Sequence, residues 1–262
     1  MTTLTLGTPP RALAVLGSYP PSRDPASANN LGLVDALDRL GLGSVSVVRV
    51  GQDAPVISDP RVVSQLRPSW QQSPTEALRA LNSHDAVLVQ QEFSGFGGED
   101  GRDLLGVMEQ IEVPVISTIQ RVPALPTPSE HAILAEIASR SASMVVQSRT
   151  ARERLIRRYE VDPASVSLIP RGGISPGRAD LRYDPTRIIT PGLLGPGKGV
   201  EWVIEALAFM TELIPAVRYV VVGPDVSSEA ASYRRMVTHL AAARGISDRV
   251  ILDDHYRSPA EM

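Results

Sequence analysis

The chain has 262 residues, 43% of them hydrophobic and 21% charged, and a net charge of −3, the balance of a protein that buries a real core in one to two domains. The charge is even, −2 over residues 1–173 and −1 over 174–262, so no basic domain argues for a nucleic-acid partner. There is no cysteine, which excludes disulfides, thiolate chemistry and Cys-based zinc sites. No stretch approaches the ~20 apolar residues of a membrane span. Nor does a basic region precede an apolar core of signal length, so a cytoplasmic protein is expected.

Short β-branched runs alternate with helical periodicity. Strands are predicted at Ala12–Leu16, Val45–Val50, Ala86–Gln90, Pro114–Thr118, Met144–Gln147 and Val166–Ile169, then at Ile188–Thr190, Val217–Val222 and Val250–Leu252. Helices are predicted at Asn30–Leu40, Pro74–Leu81, Glu99–Gln110, Pro128–Ser139, Thr150–Tyr159, Val200–Leu213 and Glu229–Arg244. Such alternation means βαβ units and parallel sheets covered on both faces. The Gly/Pro/Arg-rich break divides the chain into a domain over 1–173, a linker over 174–186 and a second domain over 187–262. Ser73-Pro74-Thr75-Glu76, Thr127-Pro128-Ser129-Glu130 and Ser258-Pro259-Ala260-Glu261 each read as a capping box with Pro at the first helical position. The third starts a helix just before Met262, so the second domain is expected to be truncated.

The only lysine, Lys198, lies in Gly195-Pro196-Gly197-Lys198-Gly199 between a strand and a helix. A glycine-rich turn there lets backbone N–H groups and the positive end of the helix dipole approach a phosphate. The simpler reading is a glycine turn that carries a lysine. A P-loop needs Ser or Thr after the lysine to hold Mg²⁺, and Gly199 stands there. A Gly-x-Gly-x-x-Gly dinucleotide fingerprint is also missing from this loop and from the first strand-to-helix loop.

Loops at the carboxyl ends of strands in open sheets are where ligands bind. Ser18, Asn29 and Asn30 follow the first strand, with helix capping the alternative for the two asparagines. Gln91 and Glu92 follow the Ala86–Gln90 strand, and Gln120 and Arg121 follow the next. Glu92 suits an acid, a base or a hydroxyl-binding group, or a solvated carboxylate. The helix with Arg149, Arg152, Arg154, Arg157 and Arg158 suits anionic lipid or a phosphorylated acceptor, although a solvated face explains it more simply. The four histidines show no ligand spacing, Asp253-Asp254-His255 is a weak metal candidate, and Trp70 and Trp202 read as packing residues.

Two blocks carry a resemblance. One is Val145-Val146-Gln147-Ser148 through Ala151-Arg152-Glu153, Tyr159, Pro163 and Ile169-Pro170-x-Gly172. The other is Gly192 to Gly199 with Ile204-Glu205-Ala206-Leu207, Pro215, Val221-Val222-Gly223 and Asp248-Arg249-Val250. Together they resemble the retaining family 4 glycosyltransferases. The resemblance implies an α/β, GT-B-like fold of two Rossmann-like domains with parallel sheets, the second incomplete here. It implies an acceptor-side N-terminal domain and a partial C-terminal donor domain. The implied activity is transfer of a sugar from a nucleotide-sugar to an acceptor hydroxyl with retention, with no required metal or cofactor. Lys198, Gly195, Gly197 and Gly199 would hold the donor diphosphate. Ser18, Asn29, Asn30, Gln91, Glu92, Gln120 and Arg121 would line the acceptor side, with Arg171 and Gly172 between the domains. The implied partners are a nucleotide-sugar and a saccharide, lipid or small-molecule acceptor, with peripheral membrane contact possible. Relatives often carry His where this chain has Gln91, Gln120 and Arg171, Arg where it has Leu193, and a paired-Glu motif that would lie beyond Met262. Gln120 cannot serve as a base near neutral pH. A truncated, non-catalytic binding module is therefore the alternative.

Overall fold

The computed structural model describes residues 11–22, 24–41, 43–51, 59–67, 74–93, 95–172, 184–224 and 228–255. Ser73, Trp70, residues 174–183 of the expected linker and the Ser258–Glu261 box lie outside them. The chain divides into two compact units, Met1–Gly173 and Ile174–Met262. Both are α/β with wholly parallel sheets among the described residues, the class that the alternation of elements predicts.

The first unit is built on strands β1 (Ala12–Ser18), β2 (Ser44–Val50), β3 (Val62–Leu66), β4 (Ala86–Gln91), β5 (Val115–Ile119), β6 (Ser143–Val146) and β7 (Val166–Leu168). They are ordered β3-β2-β1-β4-β5-β6-β7, so the winding reverses between β1 and β4. The register pairs Leu13 with Ala86 and Val87 with Val115, which brings the carboxyl ends of β1, β4 and β5 level. A ligand crevice opens at such a switch point.

Helices α1 (Pro25–Leu40), α2 (Thr75–Asn82), α3 (Asp103–Met108), α4 (Pro128–Arg140) and α5 (Arg149–Arg158) cover this sheet. Side chains alternate across a strand, so the sheet has two cores. Ala14, Leu16, Val87, Val89, Ile119 and Val146 pack with Leu81, Leu104, Leu134, Ile137 and Leu155. Val15, Val47 and Tyr19 pack with Val34 of α1. Burial of each Val, Leu or Ile among them contributes roughly 1.5–3 kcal/mol.

Local chemistry explains where helices start. At α4, the Thr127 hydroxyl accepts from the Glu130 N–H and the Glu130 carboxylate accepts from the Thr127 N–H, with Pro128 in the first helical position. The predicted capping box is thus formed. By contrast, α1 begins at Pro25 and not at Asn30. Asp24 is its cap, accepting from the Ser27 N–H at 2.8 Å. The polar run Pro-Ala-Ser-Ala-Asn-Asn reads as loop in sequence, yet an Asp-Pro start sets its first turn. Strand β3 is absent from the predicted elements because it is a short edge strand. The expected Glu99–Gln110 helix is shortened to α3, after a single 3₁₀ turn broken by Asp100 at φ 54°.

The second unit has strands β8 (Arg187–Pro191), β9 (Arg218–Val222) and β10 (Val250–Asp253) in the order β10-β9-β8, with helices α6 (Val200–Leu213) and α7 (Ser228–Ala243). Val200, Ile204 and Leu207 of α6 meet Tyr219 and Val221 of β9 and Tyr233 and Val237 of α7. Trp202 corrects the packing expectation, because it is 75% exposed. It projects from the opposite side of α6 to Ile204 and Leu207.

Candidate functional sites, one in each unit

In the second unit the chain leaves β8 through Gly192, whose N–H donates to Val222 O at 2.9 Å. Leu194 is buried and its N–H donates to Pro224 O at 3.1 Å. Gly223 follows β9 with φ 148°, and a Cβ on it would lie 2.0 Å from Gly192 O. Only glycine permits this crossing of the two loops. Anchored there, the segment Gly195 to Gly199 turns out into solvent.

Gly197 (φ 81°) and Gly199 (φ 71°) take left-handed backbone, and a Cβ on Gly195 or Gly197 would meet nothing within 4 Å. Gly199 is the N-cap of α6 and has no side chain to cap it, but the Tyr233 hydroxyl oxygen accepts from the Val200 and Glu201 N–H groups at that end. The positive end of the helix dipole still lies at the loop. Lys198 is exposed, and among the described residues it has no hydrogen bond or ion pair. The acidic residue of the first turn, Glu201, is already engaged by the Tyr233 hydroxyl, which donates to it. Burial, and then Glu201, pushes the Tyr233 hydroxyl up to about 12. The Trp202 ring covers the turn before it, 3.3 Å from where a Gly199 Cβ would stand, as helical side chains lean toward the N-terminus.

In the first unit, the sheet gathers the other candidates along one edge. Ser18 ends β1, Gln91 ends β4 with Glu92 next to it, Gln120 and Arg121 follow β5, and Arg171 and Gly172 follow β7. Several of them hold the framework itself. The Ser18 hydroxyl donates to Asp24 at 2.6 Å, and the buried Asn30 amide donates to Ser18 O at 2.7 Å. Arg121 pairs with Glu130 at 2.6 Å and lies over the Phe93 ring at 4.8 Å. Asn29 sits in the first turns of α1, and neither it nor Asn30 caps the helix.

Glu92 differs from these. Among the described residues no group hydrogen-bonds its carboxylate. Burial raises its pKa first and Asp24 raises it further, while Arg171 lowers it. Glu92, Asp24 and Arg171 thus share one electrostatic neighbourhood. Beside it, Gln91 is buried and its Oε1 has no partner.

A row of amides crosses the same edge. Arg171 donates to Gln147 Oε1 at 3.1 Å and to Gln120 Oε1 at 2.5 Å. Gln147 donates to Gln120 Oε1 at 3.3 Å, Gln120 to Gln90 Oε1 at 3.0 Å, and Gln90 to Thr118 Oγ1 at 3.2 Å. Sequence reading does not single out Asp24, Gln90 or Gln147 for the site. The glutamines meet only because β4, β5 and β6 are neighbours in the sheet.

The basic helix α5 is mostly structural. Arg152 donates to Val166 O and Pro163 O, Arg154 to Val122 O, and Arg158 to Ala124 O. Arg149, Arg157 and Arg158 are exposed. Asp253, Asp254 and His255 place ligand atoms within 4.8 Å of one another, with His255 Nδ1 2.8 Å from Asp253. Among the described residues, no helix is long and apolar enough to cross a membrane.

No protein-family model matches this sequence. No curated protein matches it either. Solved structures do share the fold. A glycosyltransferase from Rickettsia africae ESF-5 superposes with a TM-score of 0.65 at 15% identity, over 95% of this chain and 69% of that one. Anabaena Alr3699/HepE in complex with UDP and glucose gives 0.65 at 14% identity, over 95% and 70%. An alpha-glucosyltransferase in complex with UDP and a 13-mer DNA containing a central A:G mismatch gives 0.62 at 11% identity, over 94% and 67%. At such identities the likeness establishes a GT-B-like fold.

Proposed function

We propose that this chain is a glycosyltransferase that moves a sugar from a nucleotide-sugar donor to an acceptor hydroxyl with retention of anomeric configuration. Lys198 carries the reading. Among the described residues it is an exposed ammonium with no hydrogen bond or ion pair, on a glycine loop at the N-terminus of α6, in a fold shared with glycosyltransferases whose structures hold UDP. Gly195, Gly197 and Gly199 let the loop backbone close on a diphosphate, and Lys198 neutralises the charge that develops as the diphosphate leaves. Gly199 in place of a hydroxyl residue leaves Mg²⁺ without the ligand a P-loop would give it, so the charge falls to the lysine and the helix end. The acceptor lies at the β1/β4 edge of the first unit, with Glu92 as the group that accepts its hydroxyl hydrogen. The net charge of −3, with no basic domain, supports a saccharide, lipid or small-molecule acceptor that bears a hydroxyl.

The test is turnover of UDP-, GDP- and ADP-sugars by wild type and Lys198→Ala. Loss of the ammonium is expected to cost roughly 2.7–4 kcal/mol of transition-state stabilisation, about 100- to 1000-fold in kcat. Equal turnover by both proteins removes Lys198 from the mechanism. If neither protein turns over any donor, the chain is instead a non-catalytic binding module.

A further inference from the structure

Two facts about side-chain chemistry decide how the amide row is oriented. A guanidinium carries N–H groups and no lone pair, so whatever faces it must accept. A glutamine amide has an accepting end and a donating end, and it shows one or the other depending on its partner. Arg171 faces both Gln147 and Gln120, so both amide oxygens turn toward it. Gln120 Oε1 then receives Arg171 and Gln147 together, and its lone pairs are filled. Its Nε2 must point the other way, to Gln90 Oε1. Gln90 is oriented in turn, with its Nε2 donating to Thr118. The direction runs one way, from the arginine after β7 to the threonine in β5.

We propose that Arg171 is a positioning residue that fixes this direction, so that Gln120 and Gln90 offer spare N–H donors, and not carbonyl oxygens, to the crevice at the strand ends. The inference rests on reading that crevice as the acceptor side. The row then recognises oxygen lone pairs, while Glu92 supplies the acceptor of hydrogen. The Gln120 N–H bonds Gln91 O in the backbone at 3.4 Å, which sets Gln120 alongside the Gln91–Glu92 corner. A hydroxyl satisfies both kinds of group, taking a hydrogen from an amide and giving its own to the carboxylate. An ammonium has no lone pair for the amides. The favoured ligand is a neutral polyhydroxyl molecule.

The test follows side-chain amide hydrogen exchange by NMR in the full chain, for wild type, Arg171→Met and Arg171→Lys. Arg171 is exposed, and backbone exchange in β4–β6 checks that each variant keeps its fold. In Arg171→Met, protection of the Gln120 and Gln90 side-chain N–H groups is expected to fall by roughly tenfold, with Arg171→Lys restoring part of it. Undiminished protection in Arg171→Met overturns the proposal. Gln120→Glu gives an independent check, because a carboxylate still accepts from Arg171 but cannot donate to Gln90. The Gln90 amide is then expected to turn and donate to the new carboxylate, so the nuclear Overhauser contact between its side-chain N–H groups and Thr118 weakens, and an unchanged contact means that the row has no direction. A second arm uses UDP-glucose with myo-inositol as the probe acceptor. Arg171→Met should raise the KM for myo-inositol by roughly tenfold while kcat moves less, and a fall in kcat at constant KM contradicts positioning. Absence of transfer by wild type counts against the transferase reading, whereas the exchange measurements still decide the role of Arg171.

Discussion

The two units end their strands in opposite ways. In the first, most polar groups at the carboxyl edge pair with one another, Ser18 with Asp24, Asn30 with Ser18 O, Arg121 with Glu130 and the glutamines in a row under Arg171, while among the described residues Glu92 and Gln91 Oε1 do not. In the second, the loop after β8 leaves Lys198 with no hydrogen bond or ion pair among the described residues. A closed polar network is rigid and selective because each member constrains the next. An open glycine loop is a general anion receptor with little shape of its own. The contrast suits a protein that reads an acceptor in one unit and grips a diphosphate in the other.

The comparison can be broken most severely at Gly223. Gly223→Ala places a Cβ 2.0 Å from Gly192 O at a left-handed backbone position, so the two loops must part. A loss on the order of 3 kcal/mol is expected. Urea unfolding would show it, and a variant as stable as wild type would mean the loops do not cross as described.

A smaller effect is expected at Asp24, which both caps α1 and receives the Ser18 hydroxyl. Asp24→Ala should cost about 1–2 kcal/mol, read as a lower urea midpoint. Asp24→Asn keeps the capping oxygen and should recover most of it.

The Asp59–Arg61–Tyr19 cluster sharpens the same unit through pH. Hydrogen bonds from Arg61 hold the Asp59 carboxyl well below the ordinary carboxylate range. An acid with a depressed folded pKa stabilises the fold above its unfolded value, near 3.9, and that contribution is lost as pH falls through the folded value. Asp59→Asn is therefore expected to lower stability at pH 6. At pH 2 the gap to wild type should narrow. A gap that stays constant with pH would show that the charge contributes nothing.

Glu92 has the opposite sign and the smallest effect. Its raised pKa means that the fold prefers the protonated form, so stability declines as pH rises from the unfolded value through the folded one. Glu92→Gln should therefore stabilise at pH 7 by no more than about 1 kcal/mol, with little gain at pH 4. It should also abolish transfer if the carboxylate receives the acceptor hydrogen. A variant that gains stability and keeps full activity would return Glu92 to a purely structural role.

What the sequence reveals depends on how far its partners lie along the chain. The Thr127–Glu130 box and the glycine loop around Lys198 are local, so spacing alone exposes them. The Asp24-Pro25 start is local too, but the polar turn after it masks the helix behind loop-like composition. Strand β3 is short and half exposed, with no apolar run to mark it. The amide row is legible only once the strand order is known, because Gln90, Gln120, Gln147 and Arg171 come from four separate strand ends. Trp202 misleads for a related reason. Its heptad-like neighbours Val200, Ile204 and Leu207 all face the sheet, while it does not.

The proposed grip of the Lys198 loop on a diphosphate can be measured directly. Calorimetric titration of the full chain with UDP and with uridine isolates that grip, because the two ligands differ only in the phosphates. UDP is expected to bind wild type roughly 10- to 100-fold more tightly than uridine, the worth of a charge-assisted hydrogen bond, and Lys198→Ala should remove most of the difference. Equal binding of UDP and uridine by wild type, or an unchanged difference in Lys198→Ala, would contradict the account.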